Sequence, residues 1–507
     1  MKNGLHPKEA YSQLVTLLRE LARLEESLKL LEWDQATYMP SGAEEERAEQ
    51  MAALAEIIHE KRTDPRFLEL VDELATRTHD LEPGESVDVR ETKWRLDRLR
   101  KVPRELQAAR ANAQARARAA WGKAKEQSRF EILAPHLAEV LKLEREYAQV
   151  LSNEAPYQAL LEEYEPGVSE HLLQRLFEEL RQPLLRLAAA LAELQKRKRR
   201  RPSVLRGSFP IPAQRMFNRF IAEQLGFDFR RGRMDESAHP FSISIGRDYR
   251  ITTRYDEGDL RVGLFSTLHE LGHALYEQGL DPQAHGLPRG SACSLGVHES
   301  QSRLWENFVG RSEAFWRFLL PHGSRLVPGL KGATLDAVLV DVNEAGPTPV
   351  RTEADELTYN LHVLLRWELE RALIAGELEV NDLPGAWNQG MKNLLGIVPS
   401  SDREGVLQDI HWPSGAFGYF PTYTLGNIYA AQIMEAAEER VGPLSPQIER
   451  GVFSALKEWL QHEIYCRGQE FHSPELVEQV TGQPPTVQPL LKHLHHRFSW
   501  WCSHGVS

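Results

Sequence analysis

Residues 268–275 read LHELGHAL and contain the pattern HExxH. His269 and His273 are four residues apart, so on a helix they lie one turn apart on one face and both imidazoles can reach a single cation. The apolar residues that would bury the other side of this helix are Leu264, Phe265, Leu268, Leu271 and Leu275. The pattern predicts a metal-binding helix; a helix whose histidines only face solvent or the core is the alternative.

A second segment offers the remaining ligand. A catalytic site of the zinc type needs a third protein ligand and an open position for water. His298 and Glu299 follow a loop rich in glycine and proline, and Glu299, Arg303 and Glu306 fall on one face of the helix expected there. We predict that Glu299 is the third ligand, which gives a His2Glu set. His298 is predicted to lie at the metal or directly behind it, and it is also a candidate contact for the substrate. A surface position for Glu299 is the alternative.

These residue types in this spacing point to hydrolysis. A divalent metal polarises a bound water and a substrate carbonyl, and Glu270 can take the proton of the water and pass it to the departing amine. The negative oxygen that forms needs further hydrogen-bond donors. Residues 405–427 are rich in donors and glycines, and we predict His411, Tyr419 and Tyr423 as the donors. Packing in the core is the alternative for either tyrosine.

Outside this segment the sequence predicts helix after helix. Leucines recur at three- and four-residue steps from Leu14 to Leu31, and residues 106–121 are rich in alanine and arginine. The only convincing strand signal lies at residues 241–255, where apolar and polar residues alternate. The sequence therefore predicts a mainly α fold with a small β-sheet beside the HExxH helix.

Composition excludes several classes of protein. The 507 residues include 61 Lys and Arg against 73 Asp and Glu, a formal charge of -12, which argues against a general nucleic-acid binder. The basic run KRKRRR at residues 196–201 is typical of a solvated helix end, with an anion contact as the alternative. Three scattered cysteines build no disulfide framework, and no run approaches the roughly 20 apolar residues of a membrane span. A cytoplasmic location follows as an expectation.

Six ordered motifs carry a resemblance to a known family. They are HPF at 239–241, DxRxT at 248–252, HExxH at 269–273, HESQ at 298–301, RTEAD at 351–355 and GxxQDxHW at 405–412. Together they resemble the carboxypeptidase Taq family of metallocarboxypeptidases, over nearly the whole chain.

This resemblance implies a fold, an activity and a cofactor. The fold would be one catalytic domain over residues 1–507, related to the neurolysin and angiotensin-converting-enzyme type. Residues 1–200 would form one wall of a deep substrate groove, and residues 201–507 would carry the metal site. Members of the family are homodimers that release single C-terminal residues from peptides with broad specificity, using one divalent metal, zinc or cobalt, per chain. By the same resemblance the equivalents of His269, His273 and Glu299 hold the metal, that of Glu270 is the general base, and Arg351 reads the terminal carboxylate.

Two questions stay open at the level of sequence. Arg351 suits a carboxylate because a planar guanidinium grips it with two hydrogen bonds, yet it could be paired with Glu353 or Asp355 instead. Arg250 is its rival, unless Asp248 holds it. The activity could also be that of an oligopeptidase that cuts internal bonds of short peptides, or the chain could be a helical scaffold whose HExxH is structural. We expect peptides with a free C-terminus as partners, and neither nucleic acid nor membrane.

Overall fold

The computed structural model describes residues 6–197 and 202–504. Within them the chain is mainly helical with one small sheet, which confirms the predicted fold class. The basic run at residues 196–201 lies outside the residues whose side chains are described, so its predicted role stays a prediction. None of the helices in the described ranges combines the length and the apolar character that crossing a membrane requires.

The described residues form twenty α-helices and three strands. The helices are α1 Pro7–Thr37, α2 Glu44–Arg62, α3 Pro65–Ala75, α4 Pro83–Lys101, α5 Arg104–Gln127, α6 Ala134–Leu151, α7 Pro156–Leu161, α8 Glu170–Arg197, α9 Ile211–Gln224, α10 Leu260–Gly279, α11 Leu295–Arg303, α12 Glu313–Leu326, α13 Leu335–Val342, α14 Glu356–Ala375, α15 Leu383–Leu395, α16 Pro421–Val441, α17 Ser445–Glu449, α18 Ser454–Glu463, α19 Ser473–Thr481 and α20 Gln488–His504. The strands are β1 Gly232–Glu236, β2 Ser242–Ile245 and β3 Asp248–Thr253.

The sheet has the order β1-β3-β2, with β1 parallel and β2 antiparallel to β3. The strand signal at residues 241–255 is confirmed in place, but the structure divides it into a hairpin at Gly246, whose φ is +62°. Two-residue hairpin turns favour glycine because it adopts positive φ without strain. The sequence does not predict β1, because its residues, GRMDE, show no apolar alternation. Strand β3 contacts α10 through a hydrogen bond between two hydroxyl groups, since Thr253 Oγ1 lies 2.7 Å from Ser266 Oγ.

The buried apolar residues form two clusters. The smaller one lies within the first hundred residues and joins α1, α2, α3 and α4, and the larger one consists of buried residues between Val102 and Trp501. A buried polar link connects them, since Asp88 accepts from Tyr11 Oη at 2.7 Å and from Arg289 Nε at 3.1 Å. The predicted division into residues 1–200 and 201–507 stays a prediction.

Small residues bring three helices of the larger cluster close together. A Cβ on Gly272 of α10 would lie 2.5 Å from the backbone oxygen of Gln301 in α11. A Cβ on Gly426 of α16 would lie 2.6 Å from Cγ of Glu299, also in α11. Glycine at these two positions therefore allows α10 and α16 to pack directly on α11. The residues predicted at the site come mainly from these three helices.

Candidate active site and metal centre

Helix α10 presents both histidines of the HExxH pattern to the same side. Asp259 caps the helix by accepting from the backbone N–H of Arg261 at 3.0 Å, and the flanking leucines of the pattern are buried. The ring centres of His269 and His273 are 4.9 Å apart. The predicted helix is therefore present, and its apolar side is anchored in the core.

Glu299 of α11 faces the two imidazoles. Its Oε2 lies 3.6 Å from Nε2 of His269 and 3.5 Å from Nε2 of His273. One ligand atom from each of the three residues falls within 4.8 Å of the other two. Two imidazole nitrogens and one carboxylate oxygen form the donor set of a catalytic zinc-type site, so the residues present fit a divalent metal.

His269, His273 and Glu299 each have a side-chain atom that points away from the predicted metal position, and each of these atoms has a hydrogen-bond partner elsewhere. Arg303 Nε donates to Oε1 of Glu299 at 2.7 Å, and this leaves Oε2 turned toward the histidines. Nδ1 of His269 lies 2.9 Å from Oε2 of Glu306, and Nδ1 of His273 lies 3.1 Å from the backbone oxygen of His298. Each imidazole is thereby oriented with Nε2 toward Glu299.

The side chain of His298 lies behind His273. Its Nδ1 is 2.6 Å from Nδ1 of His273, and its Nε2 is 2.9 Å from Oε1 of Glu277. Glu277 in turn lines a cavity of about 510 Å³ between α1, α4 and the β2–β3 hairpin. The structure thus places His298 next to a predicted ligand, and its predicted contact with substrate stays a prediction.

Glu270 follows His269 directly and is 7% exposed. Burial raises the pKa of Glu270 to about 7, and the neighbouring Glu299 carboxylate acts in the same direction. A carboxyl group with this pKa can both accept and release a proton near neutral pH. Burial disfavours the charged form of His269, but the Glu299 and Glu306 carboxylates outweigh it and raise the pKa of His269 to about 9.

The three predicted donors of residues 405–427 come together at the start of α16. His411 Nε2 lies 3.1 Å from the hydroxyl of Tyr423, and the rings of Tyr419 and Tyr423 are 5.5 Å apart. Tyr423 precedes Gly426 by three residues, and Gly426 contacts Glu299. Burial, reinforced by the charge of Glu299, raises the pKa of Tyr419 to about 12 and that of Tyr423 well above its usual value. Both phenols therefore keep their protons at neutral pH and can donate.

Arg351 lies beside this group, with its Cζ 4.6 Å from the ring centre of Tyr423. Its Nε and Nη2 donate to Oδ1 of Asp409 at 3.1 and 2.8 Å, and its Nη1 donates to the hydroxyl of Tyr359 at 2.9 Å. The partner is thus Asp409, and the pairing with Glu353 or Asp355 that the sequence left open is not observed. Asp355 instead caps α14.

Asp409 also serves a second buried arginine. Arg366 Nε donates to Oδ2 of Asp409 at 2.7 Å, and Arg366 is fully buried. Arg351 and Arg366 therefore share one carboxylate, which leaves positive charge in excess in a region withdrawn from water. A substrate carboxylate at Arg351 would compensate this excess.

Arg250 of β3 has a different environment. Its Nε and Nη2 both donate to Oδ2 of Asp248, at 2.9 and 2.5 Å, and its Cζ stacks 4.0 Å from the ring centre of Trp33. Asp248 therefore holds Arg250, and this is one of the two alternatives that the sequence left open. Its charge is compensated one to one, so it offers less attraction to an added anion than Arg351.

Three contributors were missed at the level of sequence. Glu306 was placed on the correct helix face but given no role, and neither Asp409 nor Arg366 was singled out. A signal for Arg366 exists, because it is the only charged residue within the apolar stretch of residues 361–367, and such a residue in a buried helix needs a partner. Asp409 lies inside the GxxQDxHW motif, yet its partner follows only from the fold.

The chain is similar to known proteins over almost its whole length. A model of the carboxypeptidase Taq (M32) metallopeptidase family matches residues 13–498. Thermostable carboxypeptidase 1 of Thermus thermophilus is 42% identical over 506 residues, 97% of this chain and 99% of that protein. Carboxypeptidase 1 of Bacillus subtilis is 35% identical over 489 residues, 95% of this chain and 97% of that protein. The crystal structure of an M32 carboxypeptidase from Deinococcus radiodurans R1 has a TM-score of 0.94 and 38% identity, and the match covers 98% of this chain and 100% of that chain.

Proposed function

Because this chain belongs to the carboxypeptidase Taq (M32) family of metallopeptidases, we propose that it releases single C-terminal amino acids from peptides with broad specificity. The family and the enzyme class, a metallocarboxypeptidase, are the ones that the motifs predict, and both are confirmed. The observation that carries the proposal is the convergence of His269, His273 and Glu299 within 4.8 Å, with the buried Glu270 beside them.

Membership of a metallopeptidase family implies a divalent metal. In our proposal His269, His273 and Glu299 hold one such ion per chain, zinc or, as the alternative, cobalt, since a set of two imidazoles and a carboxylate accepts either. When bound, the ion supplies a water of lowered pKa and polarises the substrate carbonyl.

The side chains of the protein carry the proton transfers. The carboxylate of Glu270 takes a proton from the attacking water and delivers it to the nitrogen of the departing amino acid. Tyr419 and Tyr423 donate hydrogen bonds to the carbonyl oxygen as it becomes negative. Burial lowers the pKa of His411 to about 4, so its ring is neutral and orients the hydroxyl of Tyr423, 3.1 Å away.

Arg351 is our proposed reader of the substrate's terminal carboxylate. It lies next to Tyr423, it is 6% exposed, and it shares its counter-ion with Arg366. Arg250 is fully paired with Asp248 and stacked on Trp33, which favours a structural role for it. The excess of positive charge, rather than the presence of an arginine, distinguishes the two positions.

The test compares a peptide with a free C-terminus and the same peptide amidated, for the wild type and for Arg351→Gln. A carboxypeptidase should cleave only the free peptide. Loss of a charged hydrogen bond of about 1.5–3 kcal/mol should lower kcat/KM for Arg351→Gln roughly 10- to 100-fold. The matched control is Arg250→Gln, for which we expect a smaller loss. Equal cleavage of both peptides would instead indicate the oligopeptidase.

A cytoplasmic homodimer with peptides as its only partners completes the proposal. The dimer is supported by the family resemblance, and its test is the solution mass, expected at twice the 57.8 kDa of one chain. A mass of one chain at micromolar concentration would contradict it.

A further inference from the structure

The two histidines of the proposed metal site differ in what lies behind them. Nδ1 of His273 faces two neighbouring atoms of His298, the backbone oxygen at 3.1 Å and the ring Nδ1 at 2.6 Å. Nδ1 of His269 faces a carboxylate, Oε2 of Glu306, at 2.9 Å. An imidazole that donates its N–H to a carboxylate has its tautomer and ring plane fixed, and its other nitrogen becomes a more basic ligand.

Glu306 is itself held firmly. It is 8% exposed, and Arg303 Nη1 and Arg311 Nη2 donate to its two oxygens, each at 3.3 Å. Arg303 also donates to Oε1 of Glu299 at 2.7 Å. One guanidinium therefore joins the carboxylate behind His269 to the carboxylate that faces both histidines.

A local departure from α-helical geometry presents Glu306. The chain passes from α11 into a π-helical turn over Leu304–Val309, and such turns are rare and occur frequently at functional sites. Gly310 closes the turn, and a Cβ there would lie 2.6 Å from Cδ1 of Leu268. Close packing of the turn against α10 thus occurs at the residue immediately before His269.

We propose that Glu306 is a positioning residue of the metal site: it holds His269 with Nε2 free for the metal and increases the affinity of the site for the ion. Arg303 links this support to Glu299. The inference rests on the proposed function, because it assumes that His269 and Glu299 bind the ion.

The experiment measures the zinc dissociation constant of the full-length enzyme by competition with a chelator. Two variants are compared with the wild type. Glu306→Gln removes the charge, while Glu306→Asp keeps a negative charge between Arg303 and Arg311 but withdraws the carboxylate from His269 by the length of one methylene. We expect both to bind zinc roughly 10- to 100-fold more weakly, with a smaller change in kcat once zinc is saturating. The matched control is Glu313→Gln, an exposed carboxylate that is also bonded to an arginine, Arg317, and it should bind zinc as the wild type does.

The possible outcomes separate this inference from the proposed function. If the wild type binds one zinc and Glu299→Ala abolishes it, but Glu306→Asp binds zinc as tightly as the wild type, the role of Glu306 is wrong and the metal site stands. If Glu299→Ala leaves zinc binding unchanged, the metal site is wrong and the role of Glu306 falls with it. Glu306→Asp keeps the negative charge that faces Arg303 and Arg311, so it decides the matter even if Glu306→Gln does not fold.

Discussion

Several ionisable side chains of this protein are buried, and their neighbours determine whether they are charged. Glu270, Glu299 and Arg351 are each 6–7% exposed; Glu299 is paired with Arg303, and Arg351 is paired with Asp409. Glu370 is the contrasting case, because it is fully buried in α14 and its three donors are neutral: the hydroxyl of Tyr157, the indole N–H of Trp412 and the backbone N–H of Gly418. Desolvation without a cation favours the protonated form of a carboxyl group.

Glu370 should make the stability of the protein depend on pH. Burial raises its pKa from the ordinary 4.5 to about 8. Between these values the folded state keeps a proton that the unfolded chain has lost, so the free energy of unfolding falls as the pH rises from 4.5 to 8. The slope from this group is at most about 1.4 kcal/mol per pH unit.

The measurement is the free energy of unfolding from pH 5 to pH 8 for the wild type and for Glu370→Gln. The variant cannot ionise and should lose this part of the slope. Glu368→Gln, which changes a partly exposed carboxylate on the same helix, is the control and should follow the wild type. If the free energy of unfolding changed with pH in the same way for the wild type and for Glu370→Gln, Glu370 would be ionised in the folded state.

At the scale of elements, the site depends on how closely α10 and α16 approach α11. The HExxH pattern with its flanking apolar residues predicts α10, and the shared face of Glu299, Arg303 and Glu306 predicts α11. The π-helical turn over Leu304–Val309 could not be predicted, because it depends on packing against α10 rather than on local preference. β1 was missed for a related reason, since its pairing with β3 is a tertiary contact.

The approach of α10 to α11 can be tested with glycines. Gly272→Ala should destabilise the protein by about 1–3 kcal/mol, because its Cβ would lie 2.5 Å from backbone atoms of α11 that cannot move away freely. Gly122→Ala in α5 is the matched control, since a Cβ there meets nothing within 4 Å. It should stabilise the helix by roughly 0.5–1 kcal/mol. Chemical denaturation measures both, and a neutral or stabilising effect of Gly272→Ala would contradict the close packing.

At the scale of the whole molecule, sequence and structure agree on a mainly helical chain that surrounds one HExxH helix. The six motifs were enough to predict the family, because their order along the chain is specific. They did not reveal that the apolar residues divide into two clusters near residue 100, or that Arg351 and Arg366 share Asp409. Such features depend on contacts between residues far apart in the chain, and no local pattern encodes them.

The central claim is that His269, His273 and Glu299 bind a divalent metal while Glu270 moves the proton. The most direct test is a zinc titration of Glu270→Gln together with an assay of peptide cleavage. The variant should bind one zinc per chain with the affinity of the wild type and show no turnover above background. A variant that still cleaves the peptide at the rate of the wild type, or one that has lost its zinc, would contradict the claim.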